Sequence, residues 1–208
     1  DSVAIVDVFL LAVLIPATLI VAFIRKQKSF RRIVAWVSIL FLAGYFGLSI
    51  FIKENLESTV RKQLLTQNIS YTRIQTAPLP LTNLMWMVVV EDSLGYSIEQ
   101  RNLLEPQLFQ LKIRLSRNQE LLGDLVKSYE VKRIIDFTRG FYSVEKNGND
   151  LTIYDLHYSS LAPNYPDAYV LTFNIKNINE QLVINRAHPV RRINVGNIKL
   201  YLKRIFEN

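Results

Sequence analysis

Cysteine is absent from the 208 residues, which excludes disulfides, thiolate nucleophiles and thiolate-bound zinc. Histidine is nearly absent: His157 and His188 are the only two, too few for a self-contained histidine-rich metal site. Common catalytic signatures are missing as well. There is no Gly-x-Ser-x-Gly elbow, no Gly-x4-Gly-Lys-Ser/Thr phosphate loop and no His-Glu-x-x-His helix, so the sequence offers none of the standard marks of a serine hydrolase, a P-loop enzyme or a zinc protease. No internal repeat or low-complexity tract is present, and no carboxylate pair stands out from the scattered acids. Charge is missing from one region in particular. Residues 3–24 contain one charged side chain, Asp7, and residues 33–52 contain none.

These two apolar runs, of 22 and 20 residues, organise the rest of the chain. A helix rising about 1.5 Å per residue needs about 20 residues to cross a hydrocarbon layer about 30 Å thick. Both runs are apolar around the whole helix circumference rather than along one stripe, which argues against a buried hairpin in a large soluble protein. The connector Arg25-Lys-Gln-Lys-Ser-Phe-Arg-Arg32 joins neighbours antiparallel, and five of its eight residues are basic. Short basic loops stay cytoplasmic, so the pattern predicts a transmembrane helical hairpin with spans 3–24 and 33–52 and everything after it outside the cytoplasm. A signal peptide is not expected, because no basic segment precedes the first run and no small-residue cleavage site follows it. Asp1 is not an initiator methionine, and the chain is expected to begin inside a longer protein.

The net charge of +7 divides into +3 for residues 1–52 and +4 for residues 53–208. Part of the basic balance is therefore topology signal, and the remainder is spread along the chain. Nucleic acid is not an expected partner of the outer domain; the lipid bilayer, with its anionic headgroups, is. Leu56, Val60 and Leu64 recur at four-residue spacing and predict a helical stalk over 53–70. Residues 71–208 then read as one mixed domain with a mainly antiparallel sheet and a few helices, giving an α+β class overall. Strands are expected over 71–76, 84–90, 96–101, 108–115, 141–145, 151–156 and 169–175. Helices are expected over 118–129, capped by Asn118, over 131–137, stopped at Gly140, and over 190–206. The Asn147-Gly148 pair marks a tight hairpin turn.

Asp7, within the first span, is either a functional group or an interfacial carboxylate that reaches the headgroups. Pro16 is expected to kink that span, and Ala43, Gly44, Gly47 and Ser49 would permit close approach of a neighbouring helix. Asp155 and His157, two apart on an expected strand, would face one side and could share a proton or a cation; a structural hydrogen-bonded pair is the commoner outcome. Arg139 is a candidate for binding an anion, with a surface salt bridge as the plainer role. Trp86 is a candidate stacking platform, with a place in the core as the plainer role.

The order of these features resembles a family. Asp7 in Ile5-Val-Asp-Val-Phe9 is followed by a basic loop, a second span and a stalk. Then come Pro78-x-Pro-x-x-Asn-x-x-Trp-x-Val-Val89, Gly95-Tyr96, Phe137-Thr-Arg-Gly-Phe-Tyr-Ser-Val144 and Asp155-Leu156. The chain resembles, to about Ile175, the carboxy-terminal portion of the membrane-bound metal-dependent hydrolases, also described as LexA-binding, inner-membrane-associated hydrolases. The resemblance implies a bacterial inner-membrane, multi-pass parent whose missing amino-terminal helices carry the main His and Asp metal motifs. It implies a divalent metal ion not bound by this segment alone, with Asp7 as a ligand or a neighbour of one and Asp155 and His157 lining the site. Two departures stand out: Val8 replaces the family's usual proline after Asp7, and Asp155-Leu-His-Tyr-Ser159 keeps neither the Arg nor the Gly of the family's Asp-Leu-Arg-x-Gly. The LexA association implies a cytoplasmic partner, whereas the topology leaves only the basic loop on that side. A noncatalytic, membrane-anchored binding or scaffolding domain is the alternative, motivated by the lack of a complete catalytic set.

Overall fold

The computed structural model describes residues 7–24, 27–79, 83–104, 109–110, 113–158, 169, 171–178 and 181–187. The class is α+β: a helical amino-terminal region is followed by a domain of two antiparallel sheets. Helix α1 (Val8–Phe23) and helix α2 (Lys28–Thr66) form the hairpin. The first helix is shorter than its 22-residue apolar run, because Asp7 is extended and caps it rather than lying inside it. Its side chain accepts from the Leu10 N–H at 3.1 Å, filling one of the amide valences left open at any helix start. The helix continues through Pro16.

Helix α2 runs unbroken for 39 residues, about 58 Å at about 1.5 Å per residue. It begins inside the basic octet, so Lys28, Arg31 and Arg32 stand on its first turns. Its more sheltered side chains follow one stripe through Ser38, Tyr45 and Ser49 to Leu56, Val60 and Leu64, spaced by four or seven residues and so on one helix face. The lower part of this stripe faces α1, where Phe41 and Tyr45 meet Phe9 with ring centroids 6.3 Å away in each case. The upper part enters the core of a sheet. Gly44 and Gly47 do not serve the α1 contact, since a Cβ added at either would meet nothing within 4 Å. Outside the stripe, the apolar stretch of α2 is exposed along Trp36, Leu40, Leu48 and Phe51.

The first sheet is an antiparallel meander of β1 (Arg73–Pro78), β2 (Met85–Asp92), β3 (Gly95–Asn102) and β4 (Ile113–Leu115). β1 extends two residues past the expected end. It is an edge strand, and its last residue, Pro78, pairs with Trp86 at the end of the ladder, where a missing donor is tolerated. Of the strand expected over 108–115, the described part is confined to β4. The β2–β3 turn is tighter than expected, with only Ser93 and Leu94 between the strands. Asp92 Oδ1 accepts from the N–H groups of Leu94 at 2.8 Å and Gly95 at 3.1 Å, which closes the turn without a five-residue loop.

β2 is buried on both faces, which explains the continuous apolar run Met85 to Val90. Trp86, Val88 and Val90 pack with Leu56, Val60 and Leu64 of α2. Met85, Met87 and Val89 join Tyr96, Ile98, Phe141, Leu156 and Tyr169 in a core shared by the two sheets.

The 3-10 segment Gln119–Lys127, kinked at Gly123, and helix α3 (Tyr129–Phe137) precede the second sheet. Asn118 does not cap the first of these. It takes a left-handed conformation, and its amide donates instead to the Val144 carbonyl at 3.0 Å. Ser128 caps α3 by accepting from the Val131 N–H.

The second sheet is the meander β5 (Tyr142–Asn147), β6 (Asp150–Asp155), β7 (Thr172–Ile178) and β8 (Gln181–Ala187). The β5–β6 hairpin closes on Gly148 and Asn149, one residue later than the Asn-Gly pair suggests. Gly148 adopts φ +62° at the first loop position, where glycine has no steric cost. Val131 and Ile134 of α3 and Leu122 pack on Tyr142, Val144, Leu151, Ile153 and Ile175 of this sheet. The sequence reading does not anticipate β8. The helix expected over 190–206, residues 159–168, and His188 lie outside the described residues.

Candidate functional site

Asp7 is the most informative of the sequence-derived candidates. It is 4% exposed, and α1 presents it to α2, where the Tyr45 hydroxyl donates to its Oδ2. One turn further along α2, Ser49 is fully buried, and its Oγ accepts from the Asn83 amide at 2.6 Å. Trp86 Nε1 donates to the Asn83 carbonyl at 2.9 Å, and the Trp86 ring is fully buried against α2. Asp7, Tyr45, Ser49, Asn83 and Trp86 therefore form one polar seam where the hairpin meets the first sheet. The Asn and Trp of the Pro-x-Pro-x-x-Asn-x-x-Trp segment are its upper members. The sequence singles out Asp7 by its lone charge and quotes Asn83 and Trp86 as part of a motif. Tyr45 and Ser49 give no comparable signal, because their partners Asp7 and Asn83 lie 38 and 34 residues away in the chain.

The stalk is locked to β3 by a second buried polar set. Arg101 Nε donates to Glu99 Oε2 at 3.1 Å, and Arg101 Nη2 donates to Gln63 Oε1 at 2.8 Å. Thr76 on β1 donates to Glu57 Oε1 at 2.8 Å. Glu99 and Arg101 are 1% and 5% exposed; a pair buried this deeply needs such partners to offset its desolvation.

Asp155 and His157 come together, but not on one strand face. β6 ends at Asp155, whose Oδ1 accepts the backbone N–H of His157 at 2.7 Å. The carboxylate thus turns the chain out of the sheet, and this removes the alternation that would place both side chains on one side. Burial pushes the Asp155 carboxyl up to about 7, against the opposing hydrogen bonds from the His157 and Tyr158 amides. Burial and the nearby cations Arg139 and Lys53 hold the His157 imidazole down at about 4, with its ring edge-on to Tyr158 at 5.1 Å. The imidazole is thus held neutral and the carboxyl is raised toward neutrality, and the two residues meet through the His157 backbone N–H.

Arg139 has a left-handed backbone, φ +52°, and contributes its carbonyl, which accepts from Arg73 Nη1 at 3.1 Å. Arg73 stacks over Phe141 at 4.3 Å and forms a cross-strand ion pair with Glu91. Arg117 pairs with the same carboxylate.

Asp7 uses both oxygens on protein donors, and among the described residues no group of three or more His, Asp or Glu side chains converges. In comparisons with models of known protein families, with curated proteins and with solved structures, the chain shows no match.

Proposed function

We propose that the chain is a membrane-anchored binding or scaffolding domain, with α1 and α2 in the bilayer of a bacterial inner membrane and the two-sheet domain held on its outer face. The observation that carries this reading is the continuity of α2. It is long and apolar enough to cross a bilayer, and in its most apolar stretch only 6% of the residues are buried within the fold, unlike the core helix of a soluble protein. The same helix then continues into the sheet core at Leu56, Val60 and Leu64. The basic residues at the hairpin bend support a cytoplasmic bend. An alkaline phosphatase fused after Asn208 should be active in the periplasm and a cytoplasmic fluorescent reporter dark. Periplasmic inactivity, or a purified chain that stays monodisperse without detergent, would refute it.

A second reading is the hydrolytic one, in which this segment completes a metal-dependent hydrolase whose ligands lie mainly in upstream helices. The specific support is Asp155, a buried carboxyl poised to exchange a proton near neutral pH, together with Asp7 at the hairpin mouth. Metal analysis and hydrolase screening of the full-length protein, wild type against Asp7→Ala, test it. Equal metal content and equal activity would remove Asp7 from any such site.

A further inference from the structure

A cavity of about 360 Å³ lies where β1, β5 and α3 meet, away from the polar seam. Arg73, Arg117 and Lys132 bring three cations to its wall, and Asp136 brings one carboxylate. Val126, Ile135 and the Tyr142 ring supply apolar surface. Glu91 sits behind the two arginines, 5% exposed, and ties both guanidiniums from the buried side. Arg73 is fixed further by the carbonyls of Arg139 and Gly140 and by the Phe141 ring. Arg117 donates through Nε to the Tyr96 hydroxyl at 2.8 Å and lies over the Tyr96 ring at 5.3 Å. The two arginine side chains nonetheless remain 43% and 35% exposed.

Surface arginines normally trade a fixed geometry for rotamer freedom. Here one buried carboxylate, two carbonyls, a hydroxyl and two rings hold a pair of them still, so the entropy of ordering has already been spent before any ligand arrives. A guanidinium offers five N–H donors, and Glu91 engages only part of each fork. The lining carries +2 before Glu91 is counted and +1 after it.

We propose that this cavity binds a small ligand through an oxyanion, a phosphate or a carboxylate, with Arg117 and Lys132 donating to it, Arg73 flanking, and the Tyr142 side receiving its apolar part. The site uses neither Asp7 nor Asp155 as a ligand-binding group and does not depend on the membrane reading.

The test is calorimetric titration of the full chain in neutral detergent with inorganic phosphate at constant ionic strength, repeated for Lys132→Gln, Arg117→Gln and Lys127→Gln. Lys127, paired with exposed Asp124 and not part of the cavity lining among the described residues, serves as the control. Saturable binding is expected for wild type and Lys127→Gln, weakened about tenfold in Lys132→Gln and more in Arg117→Gln. Should Arg117→Gln fail to fold, Lys132→Gln alone decides, because its loss leaves the Glu91 pairs intact. A parallel arm compares nanodiscs of phosphatidylglycerol with nanodiscs of phosphatidylcholine. Binding to the former that Lys132→Gln weakens, without binding of free phosphate, supports the site and assigns the oxyanion to a lipid headgroup. Absence of saturable binding in both arms, or equal binding by wild type and Lys132→Gln, overturns the proposal.

Discussion

Replacing Asp155 with asparagine should turn a nearly flat pH dependence of stability into a rising one. The folded protein holds the Asp155 proton up to about pH 7, whereas the unfolded chain gives it up near 4. Between those values the native state binds the extra proton, so this group's contribution falls as pH rises from 4 to 7 and stays low above. At about 1.4 kcal/mol per tenfold change, the gap is worth on the order of 4 kcal/mol. His157 acts in the opposite direction. It is neutral in the fold above about 4, while the unfolded imidazole stays charged to about 6.5, so its contribution rises with pH over that window. The two largely cancel between pH 4 and 6.5, and a net fall remains from 6.5 to about 7.5. Asparagine keeps the acceptor for the His157 amide and carries no charge. Asp155→Asn should therefore gain stability from pH 4 to 6.5, level off, and exceed wild type at pH 8. For a chain of this size, about 2–4 °C per kcal/mol makes the difference at pH 8 roughly 8–16 °C. Thermal unfolding in detergent, followed by the fluorescence of buried Trp86, measures it. Wild-type and variant profiles that run parallel from pH 4 to 8 would refute the assignment, because Asp155 would then titrate as an exposed acid does.

Three further perturbations test other parts of the fold. Gly95→Ala should cost more than about 2 kcal/mol and show as a lowered melting temperature, because φ is +145° and the new Cβ would lie 2.2 Å from the Leu115 carbonyl oxygen. Tyr45→Phe removes the donor to a buried carboxylate and should destabilise the hairpin by about 1–3 kcal/mol, read by thermal unfolding in detergent; an unchanged transition would mean that water replaces the hydroxyl. Leu64→Ala, at a fully buried position against the sheet, should cost about 2–5 kcal/mol and speed proteolytic clipping at the top of α2, a change that an exposed substitution such as Leu65→Ala should not produce.

Much of the fold can be read where one segment carries its own signal. The apolar run of β2 reports burial on both faces, and the stalk spacing of Leu56, Val60 and Leu64 persists because those residues share one helix face. The turn glycine at 148 marks its hairpin to within one residue. What escapes the sequence is made by partners far apart in it. β8 has Asn185 and Arg186 exposed and Ile184 only half-buried, so its strand state comes from the ladder with β7 rather than from its own pattern. The candidate site divides in the same way. Asp7 stands out as a lone charge, but Tyr45 is 38 residues away. Arg73, Glu91 and Arg117 converge only through the register of β1 on β2 and the path after β4. Spacing alone misplaces His157, because the side chain of Asp155 ends the strand that the spacing assumes.

The unbroken α2 works like a drive shaft keyed at both ends. One inserted residue between Tyr45 and Leu56 would swing the upper body by about 100° around the shaft and lift it about 1.5 Å, setting the keyed residues at one end against those at the other. Seven inserted residues would bring the two ends back to within about 20° of alignment while raising the head about 10 Å. Angle and height can thus be varied separately, and a partner that needs one azimuth should tolerate the longer insertion better than the shorter.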